Sequence, residues 1–527
     1  MGATVGRYRI SENIQFSSIS PGQLTTMDTH ARPPQGLGRR LYEEMRARIA
    51  DGTYGAGTAL PSTRALAAER GLSRATVALV YEQLAADGFI HTRPGAASRV
   101  AMGAAAPKPA QRASQTAARR THKGGVSALG ARVAAMGLVD AVPSAPKDIH
   151  FAYGPLAGSD FPTQAWLRAL RAVERQRSPR LEYEDPRGNL ALRTALQAHL
   201  SQTRGLACAV EQIMIVHGSQ QALDLCARML LDPGDRVLIE NPGYRMAHHT
   251  FEAYGAKLVC ADVDAQGLNT DPLARMARVQ LAYVTPTHQF PLGGFLPIAR
   301  RRALLAWAAR QGAWVLEDDY DSEYRYSVRP EATLQSLDSC SCVIHVGTFS
   351  KTLSPQLRLG YMVLPPSLVE PFAAAKRLAD RHVATGVQRA LALLLENGSY
   401  ARHLRRMRRA QQARQQALVA ALGQHLGDQV EVQGAASGLH MVVWFRALSA
   451  DLEPALVQAA RERGVRVHPI GPFYHPARKP VPRPAGLVMG YAALEPQAMA
   501  AGVRRLALAV RDVQGLPRPR RQNPASF

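Results

Sequence analysis

The sequence predicts a multidomain chain: a mostly α-helical winged helix-turn-helix with a β wing, then a large α/β domain of doubly wound type and a small α+β C-terminal domain. Three observations carry this. Apolar residues between Leu37 and Leu84 recur at helical spacing around a Gly71-Leu72-Ser73 turn. From Ile149 onward, strand-like and helix-like segments alternate. The stretches Glu317-Asp318-Asp319-Tyr320 and Gly347 to Gly360 each follow a short apolar run, Trp314 to Leu316 and Val343 to Val346, that reads as a buried parallel strand. Open α/β sheets place their ligands at the carboxyl ends of such strands.

With 527 residues, 46% of them hydrophobic, the chain has room for several domains with ample cores. A net charge of +23 and a pI near 10.4 favour a polyanionic partner, although a high arginine content alone produces the same values. Five cysteines without a Cys-x-x-Cys spacing make neither a disulfide framework nor a zinc site, and Cys340-Ser341-Cys342 reads as incidental. The N-terminus has no apolar core of signal-peptide length, and no run approaches the ~18 apolar residues of a membrane span. A cytoplasmic setting without a membrane partner is expected.

Residues 1–35 lack apolar periodicity and are rich in Ser, Pro and Gly, so they read as a disordered extension, with Met1 or Met27 as the start. The DNA-binding module is expected over 36–102. Leu41, Met45 and Ile49 mark a first helix, Gly52 to Gly57 break it, and Leu60-Pro61-Ser62-Thr63 caps a second helix carrying Arg64, Leu66 and Ala67. Ser73 caps a third, on which Val77, Val80, Tyr81 and Leu84 form one apolar face. In a helix-turn-helix the second helix of the pair enters the major groove with its N-terminal residues toward the bases. Here those residues are Ser73, Arg74 and Thr76, all able to reach phosphate or base edges of double-stranded DNA. Phe89 to Val100 reads as a β-hairpin wing.

Residues 103–147 have the composition of a linker, basic enough to skim DNA and equally suited to a solvated spacer, with a short helix possible from Val126 to Leu138. The large domain is expected over 148–512 and a basic tail over 513–527. Within it, Gln212 to Val216 is a strand candidate, and Gly218-Ser219-Gln220-Gln221 opens a helix running from Ala222 to Leu231. Free amides at a helix start make a phosphate cradle or a plain strand-to-helix connection. The strand Arg236 to Glu240 delivers Asn241-Pro242-Gly243-Tyr244, an aromatic ring at the sheet edge that can stack on a flat ligand. After a strand at Ala282 to Val284, His288 sits in a turn-rich loop where it can bond a ligand or serve structure alone. An amphipathic helix, Ile298 to Arg310, follows. Arg402 to Arg409 is a strongly basic helix start, a solvated face or a secondary DNA contact. Val430 to Phe445, Gly464 to His468 and Leu487 to Tyr491 read as strands around a helix from Glu453 to Arg463, and a last helix spans Arg504 to Val513.

One cofactor suits the central stretch. Pyridoxal phosphate needs an amine for a Schiff base, a cation for its phosphate, and a carboxylate that keeps its pyridine nitrogen protonated. Lys351, Arg358 and Asp318 supply these, with Ser350 beside the lysine and Tyr320 able to donate to the ring's phenolate oxygen. Lys351 alone is equally an exposed lysine; Asp318 and Arg358 beside it narrow the choice.

The run from Leu60-Pro61-Ser62-Thr63-Arg64 through Leu72-Ser73-Arg74-Ala75-Thr76-Val77 to Asp87-Gly88 resembles the winged helix of GntR-type transcriptional regulators. The resemblance implies that Arg64, Ser73, Arg74 and Thr76 meet the operator. The wing departs from the pattern, with Gly95-Ala96-Ala97-Ser98-Arg99-Val100 in place of a glycine-rich tip and Thr-Phe-Val. The order of parts over about 150–512 resembles the fold type I aminotransferases. Tyr183-Glu184-Asp185-Pro186-Arg187-Gly188, Glu317 to Glu323, Gly347-Thr348-Phe349-Ser350-Lys351 and His403 to Arg408 look like the MocR/PdxR regulators, which join the two halves in this order. By resemblance, the large domain has the pyridoxal-phosphate-dependent transferase fold. Lys351 carries the Schiff base, Asp318 the pyridine nitrogen, Tyr320 the phenolate oxygen, Tyr244 the stacking ring and Arg358 the phosphate. Ser219, Gln220, His288 and Ser350 complete the expected cofactor site.

The expected function is a homodimeric, pyridoxal-phosphate-dependent transcriptional regulator that senses the cofactor or its adduct with an amine or amino acid. The alternative is an active aminotransferase with an appended DNA-binding module. In γ-aminobutyrate sensors of this kind an arginine two residues beyond the stacking tyrosine clamps the ligand carboxylate; here that position is Met246, with Arg245, His248 and His249 beside it. A second clamping arginine is sought among Arg466, Arg478 and Arg483.

Overall fold

The computed structural model describes residues 36–93, 95–104, 125–138, 147–176, 182–326, 332–478 and 482–515. The expected extension at 1–35, most of the expected linker and the tail beyond 515 lie outside the described residues. The chain divides into one unit ending at Lys123 and another beginning at Gly124. Among the described residues no helix is long and apolar enough to cross a membrane.

The first unit contains α1 (Leu37–Ala50), α2 (Thr63–Arg70), α3 (Arg74–Ala86) and a hairpin of β1 (Ile90–His91) and β2 (Arg99–Val100). Its helix starts follow from two serines. Ser62 Oγ accepts from the Ala65 amide and Ser73 Oγ from the Thr76 amide, each at 3.1 Å, satisfying donors that a helix start leaves open. Between them Gly71, at φ 63°, ends α2 in the left-handed conformation. Leu41, Met45, Ile49, Leu66, Val77, Val80 and Leu84 close into one core. The Tyr81 hydroxyl donates to the Pro61 carbonyl at 2.7 Å, and Arg70 grips Glu44 through two bonds of 3.1 and 2.7 Å, so the turn is braced from both sides.

The second unit opens with α4 (Ala128–Ala135), inside the stretch expected to be linker. Arg132 Nε donates to the Ala253 carbonyl at 2.7 Å, so this piece packs on the large unit. There follow β3 (Ile149–His150), α5 (Thr163–Glu174), α6 (Leu190–Arg204), β4 (Ile213–Val216), α7 (Ser219–Leu230), β5 (Arg236–Asn241), α8 (Arg245–Ala253), β6 (Lys257–Asp264), β7 (Gly267–Leu268) and β8 (Leu281–Val284). The chain continues through α9 (Ile298–Gln311), β9 (Trp314–Asp319), α10 (Leu334–Leu337), β10 (Val343–Thr348), β11 (Gly360–Val363), α11 (Val369–Asp380) and α12 (Thr385–Glu396).

These strands make one sheet in the order β4-β11-β10-β9-β8-β5-β6-β7. Strands β10, β9, β8, β5 and β6 run parallel, while β11 lies antiparallel between β10 and β4. Helices cover both faces: α7, α8 and α11 bury one apolar cluster and α9 another, which is why the central strands are apolar without alternation. The structure extends β9 through Glu317, Asp318 and Asp319, residues that the sequence reading placed beyond the strand. Their partners are remote and buried: Glu317 meets His345 Nδ1 at 3.0 Å and the Leu334 amide at 2.7 Å, and Asp319 meets Arg204 at 2.6 Å. Buried charge persists when paired, and pairing lets the strand run on.

The smaller lobe carries α13 (Ser399–His425), β12 (Val430–Gln433), β13 (His440–Ser449), α14 (Glu453–Glu462), β14 (Val465–Arg466), β15 (His468–Pro469), β16 (Pro484–Gly490) and α15 (Pro496–Val513). Its sheet order is β12-β13-β16-β15, so the single strand expected over Val430 to Phe445 is a hairpin of two. The last helix starts eight residues before the expected Arg504. Gly502 is not a breaker there: it packs on Phe151, whose ring would lie 2.7 Å from an added Cβ. Strand β14 pairs in parallel with β3, tying this lobe to the start of the large one.

Candidate functional site

A cavity of about 280 Å³ opens at the carboxyl ends of β4, β8, β9 and β10. Ser219, Gln220, Tyr244, Asp318, Tyr320, Ser350, Lys351 and Arg358 all line it, and His288 does not. His288 is buried behind the wall, its Nδ1 3.0 Å from Asp321 Oδ2 and 3.0 Å from the Tyr320 hydroxyl. Facing a carboxylate, Nδ1 carries a proton and donates it to Asp321. The Tyr320 hydroxyl then serves as acceptor at the histidine and keeps its own proton for the cavity.

At one end of the cavity stands Asp318. Its Oδ2 accepts from the Tyr283 hydroxyl at 2.8 Å, while its buried Oδ1 has no partner. Burial raises the carboxyl pKa from 3.8 to about 6, against the Tyr283 bond and with help from neighbouring Asp319. A group that favours its protonated form in the folded chain loses stability as pH rises from the unfolded to the folded value. Asp318→Asn is therefore expected to stabilise the cofactor-free protein at pH 7 by about 3 kcal/mol and to leave it unchanged at about pH 3, below the unfolded value, a difference read from thermal melts across that range.

At the other end, Gly218 precedes α7 at φ 76° with no side-chain cap, so the Ser219 and Gln220 amides at the helix start have no capping bond. Arg358 lies over this glycine, with its guanidinium 3.0 Å from where a Cβ would stand, and donates to the His217 carbonyl at 2.7 Å. A side chain there would crowd the guanidinium and strain the backbone at this positive φ. Lys351 sits between the two ends, its Nζ donating to the Gly154 carbonyl at 3.0 Å. Burial lowers its pKa, against the pull of the Asp321 and Asp318 carboxylates. Tyr244 presents its ring with Phe290 edge-on, their centroids 5.8 Å apart, and burial pushes its hydroxyl up to about 12.

Several lining residues escaped the sequence reading: Tyr153, Tyr283, Phe290, Asp321 and His440. The Asp321 signal was within reach, since it lies one residue beyond Tyr320. His440 is held neutral, its pKa lowered to about 4 chiefly by burial, and its Nε2 bonds the Pro291 carbonyl at 3.0 Å. None of the three candidate clamping arginines lines the cavity. Arg466 pairs with Asp148 at 3.2 Å, Arg478 with Asp262 at 2.6 Å, and Arg483 with Glu453. Arg245 lies 3.4 Å from His249, and both belong to a different cavity. In the basic start of α13, Arg406 bonds the Asp160 carbonyl at 2.6 Å and Arg408 the Glu323 carbonyl at 3.0 Å, so these two cations anchor loops of the larger lobe.

In the first unit, Arg64, Ser73 and Arg74 are exposed in the opening turns of α2 and α3, and Thr76 is half-buried. The hydroxyls of Ser73 and Thr76 bond each other at 2.8 Å, which fixes both at the helix start. Arg99 in the wing donates to the Gly57 carbonyl at 2.8 Å.

Comparison with known proteins divides the chain in the same way. Residues 37–100 match the family described as bacterial regulatory proteins, gntR family, and residues 148–506 match aminotransferase class I and II. The chain is 36% identical to the probable rhizopine catabolism regulatory protein MocR of Rhizobium meliloti, over 92% of this chain and 95% of that protein. It is 34% identical to the transcriptional regulator TauR of Rhodobacter capsulatus, over 90% and 96% of the two chains. The pyridoxine biosynthesis transcriptional regulator PdxR of Corynebacterium glutamicum is 29% identical over 84% of this chain and 89% of its own. Among solved structures, the α-aminoadipate aminotransferase LysN of Thermus thermophilus superposes with a TM-score of 0.64 at 29% identity, over 70% of this chain and 94% of its own.

Proposed function

The chain belongs to the GntR-type transcriptional regulators of the MocR/PdxR kind, and we propose that its aminotransferase-like domain is a pyridoxal phosphate sensor that controls operator binding. The observation that carries the reading is the unpartnered, buried Oδ1 of Asp318 at the end of the cavity opposite Arg358. A buried acceptor without a donor is costly, and a protonated pyridine nitrogen supplies the missing one. The remaining residues fit the same group. The open amides at Ser219 and Gln220, with Ser350 and Arg358, receive the phosphate; Tyr244 stacks on the ring; Tyr320 donates to the phenolate oxygen; Lys351 offers the amine. When bound, the cofactor supplies a carbonyl carbon that condenses with primary amines. His288 takes part through Tyr320 and Asp321, which it orients.

The regulator works in the cytoplasm as a homodimer whose paired winged helices grip one half-site each. Arg64, Ser73, Arg74 and Thr76 make the operator contacts. A ligand can act on DNA only by differing in affinity for two arrangements of those winged helices, and closure around the cofactor or its amine adduct provides the difference. The test measures operator affinity and DNA bending for cofactor-free, cofactor-loaded and amine-treated protein at one salt concentration. Affinity is expected to change between states and to fall steeply with salt in each. Identical affinity in all three, with the cofactor retained, refutes the sensor and promotes the appended-enzyme alternative.

A further inference from the structure

The cavity also constrains which amine it accepts beside Lys351. Of its lining residues, only Lys351 and Arg358 are cationic, and Arg358 is committed to the end formed by Gly218 and α7. Tyr153, Phe290, Asp321, Leu439 and His440 also line the cavity. Phe290 packs in one apolar cluster with Val442, Ile470, Phe473 and Val488. Arg478 and Arg483 open instead onto a separate cavity of about 710 Å³, each held by its own carboxylate partner. Besides Asp318, which the cofactor reading assigns to the pyridine nitrogen, the lining carries one carboxylate, Asp321. Asp321 is 2% exposed and is locked in place by His288 at 3.0 Å. His440, with Nε2 at the Pro291 carbonyl, has Nδ1 left as an acceptor if Nε2 carries the proton.

A ligand carboxylate brought beside Asp321 would meet a buried like charge, and the lining offers it no cation besides Lys351 and Arg358. A hydroxyl would instead find acceptors in Asp321 and His440. We propose that the effector is a primary amine that carries a hydroxyl group and no carboxylate. This rests on the cofactor reading of the pocket given above.

The test titrates full-length, cofactor-loaded protein in a calorimeter with two pairs of probes matched except for the end group: ethanolamine against glycine, and γ-aminobutyl alcohol against γ-aminobutyrate. Each alcohol is expected to bind about tenfold or more tightly than its carboxylate counterpart. Asp321→Asn is expected to narrow that gap, because it removes the charge that repels the carboxylate. Equal or tighter binding of either carboxylate overturns the inference, and so does failure of both alcohols to bind while the visible absorption of the cofactor persists. A protein that retains no such absorption after dialysis overturns the cofactor reading itself, and this inference with it.

Discussion

Lys351→Ala is expected to yield a protein that takes on no visible colour when incubated with pyridoxal phosphate and dialysed, whereas the parent chain turns yellow. An imine conjugated to the protonated ring absorbs at the violet edge of the visible, and only an amine positioned at the ring can form it. Lys351 is placed for this between Asp318 and Arg358, and its burial favours the neutral, nucleophilic amine over the ammonium. Lys376, also buried, is held by both oxygens of Asp380 at 2.7 Å and does not line the cavity. Asp318→Asn gives a separate readout: the amide cannot balance a pyridinium charge, so the variant should lose cofactor on dialysis even as it melts at a higher temperature without it. A Lys351→Ala protein that kept the band would move the attachment to another lysine.

The second large effect is on DNA. Arg64→Ala and Arg74→Ala are each expected to weaken operator binding by about 1–3 kcal/mol and to lessen its dependence on salt. Both side chains are exposed and contribute nothing to the core of Leu41, Met45, Ile49, Val77 and Leu84, so melting of the variants should match the parent within about 0.5 kcal/mol. Thr76→Ala combines two losses, the operator contact and the hydroxyl bonded to Ser73 at 2.8 Å. Operator affinity unchanged in the Arg64→Ala/Arg74→Ala double variant would remove the starts of α2 and α3 from the interface.

What the sequence determined by itself about this protein is what short stretches of chain decide. Ser62 and Ser73 announce two helix starts because a cap bonds an amide three residues on, and Leu41, Met45 and Ile49 mark a helix face because helical periodicity is local. Ser350, Lys351 and Arg358 are legible as a group for the same reason, lying within one strand-to-loop passage after β10. The tertiary structure alone decided which residues complete the site. Tyr283 reaches Asp318 because β8 and β9 pair in parallel with Tyr283 opposite Leu316, a register that no window of sequence contains. The end of β9 was misplaced because the partners of Glu317 and Asp319, among them His345 and Arg204, are 28 and 115 residues away, and a polar run reads as loop until those partners are known. His288 moved from the wall to the layer behind it because Gly438 lets β13 approach closely: a Cβ there would come within 2.1 Å of the histidine ring. Identity and spacing along the chain named the amine, the anion and the cation, whereas only packing between remote segments could set which side chains face the cavity and which support them.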